Sequence, residues 1–223
     1  PANTYLATTE EYGDFEFRCL FRISGDHKTG LINSGIQYRS ITHGNKIIGY
    51  QADIGKGYWG DLYDEHRRGL LVKADTNTLK HILKEDGWNS YIIRCKGNQH
   101  ELYINGVKTV DYIEKNPKVP AKGIIAVQIH SGGMAVIQAK DITIEELPAT
   151  PGALTWDKVK PEPKKDAPAK AAPAKRDTSY NDVQGVRRSA EEQQKLFKLP
   201  EGFEIELFAK ESADFGKFIM LIF

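Results

Sequence analysis

Gln37, Arg39, Gln51, Asp53, Gln128 and His130 are the residues of this chain best placed to do chemistry. They stand in three short segments, SGIQYRS (34–40), GYQADIG (49–55) and GIIAVQIHSGG (123–133), in which polar and apolar residues alternate. A β-strand sends successive side chains to opposite faces. Ile36, Tyr38, Tyr50, Ala52, Ile54, Ile125, Val127 and Ile129 therefore predict an apolar face, and the six polar residues share the other. A merely wetted sheet face is usually Lys, Glu and Thr. Three Gln with an Arg, an Asp and a His instead supply directional donors and acceptors suited to a polyhydroxylated ligand. The alternative is an ordinary solvated face, and parity alone does not make the three strands neighbours.

The elements that must hold these residues read as all-β up to about residue 147. FEFRCLFRI (15–23) alternates Phe15, Phe17, Cys19, Phe21 and Ile23 against Glu16, Arg18 and Arg22, the pattern of a strand with one buried face. WNSYIIRCKG (88–97) and HELYINGVKTVDYI (100–113) follow, the second with Asn105-Gly106, a pair that tolerates the positive φ of a type I′ hairpin turn. GIIAVQIHS and AVIQAKDITIEEL come last, joined by Gly132-Gly133, and no helical period of comparable length precedes residue 150. Many short strands with turn signals between them predict an antiparallel β-sandwich or jelly roll.

Composition narrows the class further. The 223 residues carry 31 basic and 30 acidic side chains, a formal net charge of +1, which offers no clustered cationic excess for a nucleic acid. No apolar run approaches the roughly 20 residues of a membrane-spanning helix. The chain opens Pro-Ala-Asn, and its two Met are Met134 and Met220, so it reads as a processed or fragmentary product. Cys19 and Cys95 fit either two buried thiols or one disulfide, and their spacing matches no zinc or CxxC pattern. Neither a metal nor another cofactor is expected.

From 148 to 182 the chain turns to Lys, Pro and Ala, as in KVKPEPKKDAPAKAAPAKRD, a composition that buries too little surface to offset chain entropy. It reads as a disordered, extended linker or, alternatively, as a cationic segment touching a wall or membrane. Residues 183–223 then open a short α+β piece. Ser189 and Glu192 form a capping box before QQKLFKL, and FEIELFA (203–209) alternates as a strand.

Seven segments, EEYGDFEFRCLFRI, NSGIQYRS, GYQADIG, YWGDLYDE, WNSYIIRCKGN, ELYINGVKTVDY and GIIAVQIHSGG, resemble in order the 3-keto-disaccharide hydrolase domain family across residues 5–147. The resemblance implies a concanavalin-like, laminin-G-like sandwich with one concave sheet, acting on a carbohydrate. The family's usual first strand, with its Trp and DG segment, is not matched. EEQQKLFKLPEGFEIELFAKE is similar to the start of a propeller dehydrogenase-like domain of secreted planctomycete proteins. That similarity implies a further propeller domain in the same polypeptide and a secreted or periplasmic location.

For a 3-keto-glucoside the chemistry implied is elimination. The ketone at C3 acidifies the C2 proton, a base removes it, and the C1 aglycone leaves; water then adds back to give net hydrolysis. His130 is the natural titrating group, with Asp53 and Glu65 as the carboxylates and Arg39 as a charged donor for the developing oxyanion. Gln37, Gln51 and Gln128 would hold hydroxyls, and Tyr58 and Trp59 in GKGYWGDLYDE would stack on a sugar ring.

Each assignment has a plainer rival. His130 is also placed to end a strand, Asp53 to form a turn, Glu65 to pair with Arg67 or Arg68 at the surface, and Tyr58 and Trp59 to pack under their own loop. His27, His43, His66, His81 and His100 read as solvated. Asp53 with Glu65 also suits a two-carboxylate glycosidase, and the whole sandwich suits a noncatalytic carbohydrate-binding module. From the linker composition, limited proteolysis is expected to cut first between Lys158 and Arg176; a protected linker with cleavage elsewhere would count against this division.

Overall fold

The computed structural model describes residues 3–159 and, for the backbone, 220–222. In chain order the strands are β1 (Thr4–Ala7), β2 (Phe15–Asp26), β3 (Asn33–His43), β4 (Lys46–Gly55), β5 (Leu62–Glu65), β6 (Gly69–Val72), β7 (Asn89–Lys96), β8 (Gln99–Ile104), β9 (Val107–Ile113), β10 (Ile124–Ile129), β11 (Met134–Glu146) and β12 (Met220–Ile222), with one helix, α1 (Thr76–Ile82), between β6 and β7. They form two six-stranded sheets, one ordered β1-β10-β3-β4-β5-β6 and the other β12-β11-β2-β7-β8-β9. Every pairing is antiparallel except β11 with β12. The chain is an all-β sandwich.

Alternation makes the core. Phe15, Phe17 and Cys19 of β2 stand opposite Cys95, Ile93 and Tyr91 of β7, all buried on one face. From the other sheet Ile36 and Tyr38 stand opposite Ala52 and Tyr50 and join the same apolar cluster. Burying each such large side chain contributes about 1.5–3 kcal/mol relative to exposure. Tyr38 and Tyr50 stack with ring centroids 5.6 Å apart, and Phe15 meets Tyr38 edge-on at 6.2 Å.

The two cysteines are free and buried. On the paired strands Cys19 faces Tyr91 while Cys95 faces Phe15. Four residues of strand, about 13 Å, thus separate them, well beyond disulfide reach. The Asn105-Gly106 turn joins β8 to β9 with φ of 49° and 81°, the positive values its sequence predicts. Sequence periodicity does not reveal α1, which is too short to display a period. Asp75 caps it by accepting from the Asn77 and Thr78 amides, and Leu79 is its buried residue.

Packing continues past residue 147, where the linker was expected to begin. The Leu147 amide donates to the Asp14 carbonyl, Ala121 to Leu154, and Trp156 is buried with its indole N–H on the Arg39 carbonyl. A single Trp supplies the apolar surface that the Lys/Pro/Ala composition lacks. The rest of the linker, the capping box at Ser189, the strand at 203–209 and the propeller-like start lie outside the described residues. Among the described residues no helix is long and apolar enough to cross a membrane.

Arg39 departs from the expected polar face. The register of β3 slips between Tyr38 and Ile41, and Arg39 takes a left-handed φ of 46°. Its side chain is consequently buried between the sheets. Nε donates to the Gly13 carbonyl (2.9 Å), Nη1 to the Gly97 carbonyl (2.8 Å) and Nη2 to Asp14 Oδ1 (3.0 Å). Asp14 also accepts from the Gly97 amide and the Thr150 hydroxyl. Burial works to raise its pKa, but these hydrogen bonds, Lys96 and the Arg39 charge outweigh it and lower it.

His100, expected to be solvated, is 1% exposed and lies against this arginine. Its Nε2 faces Arg39 Nη1 at 3.5 Å and its Nδ1 faces the Tyr38 hydroxyl at 3.2 Å. An arginine only donates, so Nε2 accepts and Nδ1 carries the proton. Burial, and then the Arg39 charge, hold its pKa well below the ordinary value of 6.5. The unfolded chain thus takes up a proton that the folded chain refuses. The stabilising contribution of neutral His100 is complete above about pH 6.5 and declines as pH falls below it. Urea unfolding should show wild type more stable than His100→Gln by about 1–2 kcal/mol at pH 8, with the gap shrinking by pH 5. A gap independent of pH would refute the neutral-histidine assignment.

Candidate functional site

Strand register assembles the outer face of the first sheet. Gln37 stands opposite Gln51, and Gly35 opposite Asp53. On one side Gln128 stands opposite Gly35, and Tyr5 opposite Gln128. On the other, Tyr63 stands opposite Gln51 and Glu65 opposite Gly49. Directly opposed residues share a face, so Tyr5, Gln128, Gln37, Gln51, Asp53, Tyr63 and Glu65 lie on one surface across five adjacent strands. Five of them were expected there from parity or motif. Tyr5 and Tyr63 were not, because strands of four residues, TYLA and LYDE, are too short to show alternation.

The polar residues at its centre are buried. Gln37 and Gln128 are 0% exposed, Gln51 3% and Asp53 5%. Gln37 donates through Nε2 to Gln51 Oε1, and Gln51 donates through Nε2 to Asp53 Oδ1. A Cβ at position 35 would lie 2.6 Å from Gln51 Cδ, so the glycine makes room for the Gln51 amide to lie across the strand. Three atoms of this buried set have no hydrogen-bond partner: Gln37 Oε1, Gln128 Oε1 and Gln128 Nε2. Buried polar groups are almost always satisfied, and each unmet one costs about 1–3 kcal/mol.

The carboxylates are equally unusual. Burial pushes Asp53 up to about 7, with the charges of Asp61 and Glu65 adding to it and the Gln51 hydrogen bond and Lys73 opposing. Burial also pushes Glu65 up to about 7, aided by the neighbouring Asp64 charge and opposed by Lys46. Glu65 faces His66 Nε2 at 3.5 Å, and His66 holds a left-handed φ of 57°. His66 is accordingly half-buried beside a carboxylate and not simply solvated. Asp53 and Glu65 stand on neighbouring strands at positions four residues apart, about 14 Å between Cα atoms.

The alternative pairing of Glu65 with Arg67 or Arg68 does not form. Both arginines turn to the other face, where Asp64 accepts from Arg67 Nε (2.7 Å) and Arg68 Nε (2.5 Å). Arg68 Nη2 continues to Glu114 Oε2 at 2.7 Å. Of the expected stacking pair, Trp59 is 9% exposed and belongs to the core, while Tyr58 is 40% exposed with Lys73 Nζ 5.7 Å from its ring centre. The tight turn from Gly55, whose carbonyl accepts from the Tyr58 and Trp59 amides, folds Trp59 inward.

His130 follows β10, with its amide donating to the Asn33 carbonyl. Its Nδ1 lies 2.5 Å from the Ser131 carbonyl, which only accepts. The neutral ring therefore carries its proton on Nδ1 and presents Nε2 as the basic nitrogen. Two strands and two residues separate it from Asp53, about 12 Å between Cα atoms. Among the described residues no cluster of three or more His, Cys, Asp or Glu is arranged to hold a metal ion.

Comparison with known proteins places the chain in a family. Residues 1–145 match the family model of the 3-keto-alpha-glucoside-1,2-lyase-like domain. No curated protein matches the chain. Among solved structures, the carbohydrate binding module CBM66 from Bacillus subtilis is similar over 65% of this chain and 83% of its own, with a TM-score of 0.50 and 14% identity. A candidate glycosyl hydrolase from Parabacteroides distasonis is similar over 65% of this chain and 84% of its own, with a TM-score of 0.47 and 20% identity. At 14% identity the likeness to the binding module speaks to the fold alone.

The raised carboxylate pKa has a stability consequence. A group held at about 7 when folded and near 3.8 when unfolded contributes fully below pH 3.8, and that contribution is lost as pH rises through 7. Asp53→Asn is therefore expected to stabilise the protein at pH 8, on the order of 3 kcal/mol, with a much smaller gain at pH 5. Chemical denaturation at the two pH values measures this, and equal stability of the two proteins at pH 8 would mean that Asp53 is not a strained carboxylate.

Proposed function

The chain belongs to the 3-keto-alpha-glucoside-1,2-lyase-like domain family, and from that membership we propose that it cleaves 3-keto-glycosides by removing the proton on the carbon next to the ketone. The observation that carries the reading is a buried carboxylate, Asp53, and a half-buried one, Glu65, both held near neutrality on the same face as buried amide atoms of Gln37 and Gln128 that lack partners. A general base and a general acid that work together at neutral pH need such pKa values.

In this mechanism ionised Asp53 takes the C2 proton. The C2–H electrons form the C1=C2 bond as the C1–O bond breaks, and protonated Glu65 delivers its proton to the departing oxygen. The ketone acidifies C2 by drawing charge to its oxygen, where hydrogen-bond donors stabilise it. Hydration reverses the pattern. His130 Nε2 takes a proton from water, the hydroxide adds to C1, and protonated Asp53 returns its proton to C2; proton exchange from His130 restores Glu65. Arg39 has no part in this scheme, because its guanidinium is committed between the sheets.

The resemblance of the C-terminal segment to secreted propeller proteins is what supports our further proposal of a secreted or periplasmic location. The test is turnover of a 3-keto-glucoside beside its parent glucoside, with deuterium incorporation at C2 followed in heavy water. The keto sugar alone should react and should exchange. Asp53→Asn and His130→Ala should each lower turnover by about a hundredfold or more. The kcat/KM profile should be bell-shaped around pH 7, rising as Asp53 ionises and falling as Glu65 loses its proton. Turnover of the ordinary glucoside without C2 exchange would replace this reading with a two-carboxylate glycosidase, and binding without turnover of either would replace it with a binding module.

A further inference from the structure

Three amide side chains on the outer face differ in what they can offer a ligand, and the difference is set by Asp53. An ionised carboxylate only accepts hydrogen bonds. Gln51 must therefore turn its Nε2 to Asp53, which leaves its Oε1 toward Gln37. Gln37 must in turn spend its Nε2 on Gln51, and its Oε1 is the atom left without a partner. The order of donors is directional from Gln37 to Gln51 to Asp53, so the atom of Gln37 left wholly without a partner is an acceptor. A ligand hydroxyl can donate to it; a ketone oxygen, which has no proton, is repelled.

Gln128 lies outside this relay. It stands opposite Gly35, whose other neighbour is Asp53; both its amide atoms are buried and make no well-formed hydrogen bond, with the Tyr5 hydroxyl on the opposing strand close enough to interact. It is the one amide of the three with neither end engaged in the relay. Gln128 and Asp53 are two strand spacings apart, about 10 Å between Cα atoms, and the Gln51 amide lies over Gly35 on the strand between them. A ring placed over that amide brings one of its atoms toward the Gln128 amide and an adjacent atom toward the Asp53 carboxylate.

We propose that Gln128 is the residue that recognises the ketone, donating its Nε2 hydrogen to the ketone oxygen, while Gln37 Oε1 accepts from a neighbouring hydroxyl of the same ring. This assignment rests on the 3-keto-glycoside reading. When Asp53 removes the adjacent proton, the C–H electrons move toward the ketone and negative charge grows on its oxygen, where the Gln128 N–H already points. Gln128 thereby takes the oxyanion-stabilising part that sequence considerations assign to Arg39. Gln51 is a positioning residue: it touches no substrate, but it orients Gln37 and supports ionised Asp53.

The experiment compares binding of a methyl 3-keto-glucoside with that of methyl glucoside by calorimetry, for wild type, Gln128→Met and Gln128→Leu, and follows turnover of the keto sugar in parallel. Wild type should bind the keto sugar at least about tenfold tighter, the scale of discrimination when a buried donor meets or misses its acceptor. Both variants should lose this preference, and should lose about a hundredfold or more in turnover, while their unfolding midpoints stay level or rise, since an unsatisfied buried amide has been removed. Gln51→Met should move the acid limb of the pH–rate profile upward, a shift that a purely structural role would not produce. A keto preference that survives in a folded Gln128 variant, or its absence from wild type, overturns the proposal. Keto-selective binding that depends on Gln128 but is accompanied by no turnover would sustain it while removing the catalytic reading.

Discussion

The buried ion pair between Arg39 and Asp14 is the constraint on which the rest of the sandwich depends. Its two partners enter from different sheets, Arg39 from the β3 bulge and Asp14 from the approach to β2, and its further hydrogen bonds reach Gly13, the β7–β8 turn at Gly97 and Thr150 beyond β11. Removing either partner would strand a charge in the interior, a loss of about 3–5 kcal/mol. The pair also determines its surroundings. His100 is neutral because it is buried and because it faces this arginine, and Tyr38 is placed by the same contact. The Arg39 carbonyl, turned by the left-handed backbone, holds Trp156 and with it the segment after β11.

The bulge that turns Arg39 inward also shapes the outer face. Before it, Gln37 of β3 points outward beside Gln51, with Ala126 opposite it on the other side; Ala126 packs with Tyr5 and with Ile47, which lies beyond the bulge. The polar patch thus borders a small apolar one. A sheet face with buried amides and carboxylates is unstable by itself, and the closely packed interior between the sheets supplies the excess stability that lets it exist.

The sandwich was legible because β2, β3, β4, β7 and β10 are long enough to show alternation, and parity correctly placed Gln37, Gln51, Asp53 and Gln128 on a common face. Register, which no sequence period encodes, was needed to add Tyr5 and Tyr63. Arg39 escaped because a β-bulge resets parity without any Gly or Pro to mark it. Trp59 and His100 escaped for a related reason: GKGYWGDLYDE and the Gly97 turn look polar, yet the chain folds one aromatic and one imidazole under them. Buried His and Trp satisfied by single neighbours leave no composition signal.

The two neighbouring acids Asp64 and Glu65 show how little separates a structural carboxylate from a chemical one. They are consecutive in β5, so one strand step sends them to opposite faces. Asp64 turns toward the core, meets the guanidinium groups of Arg67 and Arg68, and becomes part of a network that includes Glu114 and the Tyr50 hydroxyl. Burial raises the Glu114 pKa, but hydrogen bonds from Arg68 and Tyr50 more than reverse this and hold it at about 2. Glu65 turns outward, where burial acts with His66 and Lys46 nearby and no guanidinium follows it. Because both arginines are drawn to the inner face, the outer carboxylate retains a proton near neutrality. A one-residue slip of β5 would exchange the two acids and leave the outer face with a permanently ionised, arginine-bound group unable to donate a proton. The chemistry available to the outer face is therefore fixed by the packing of the inner one.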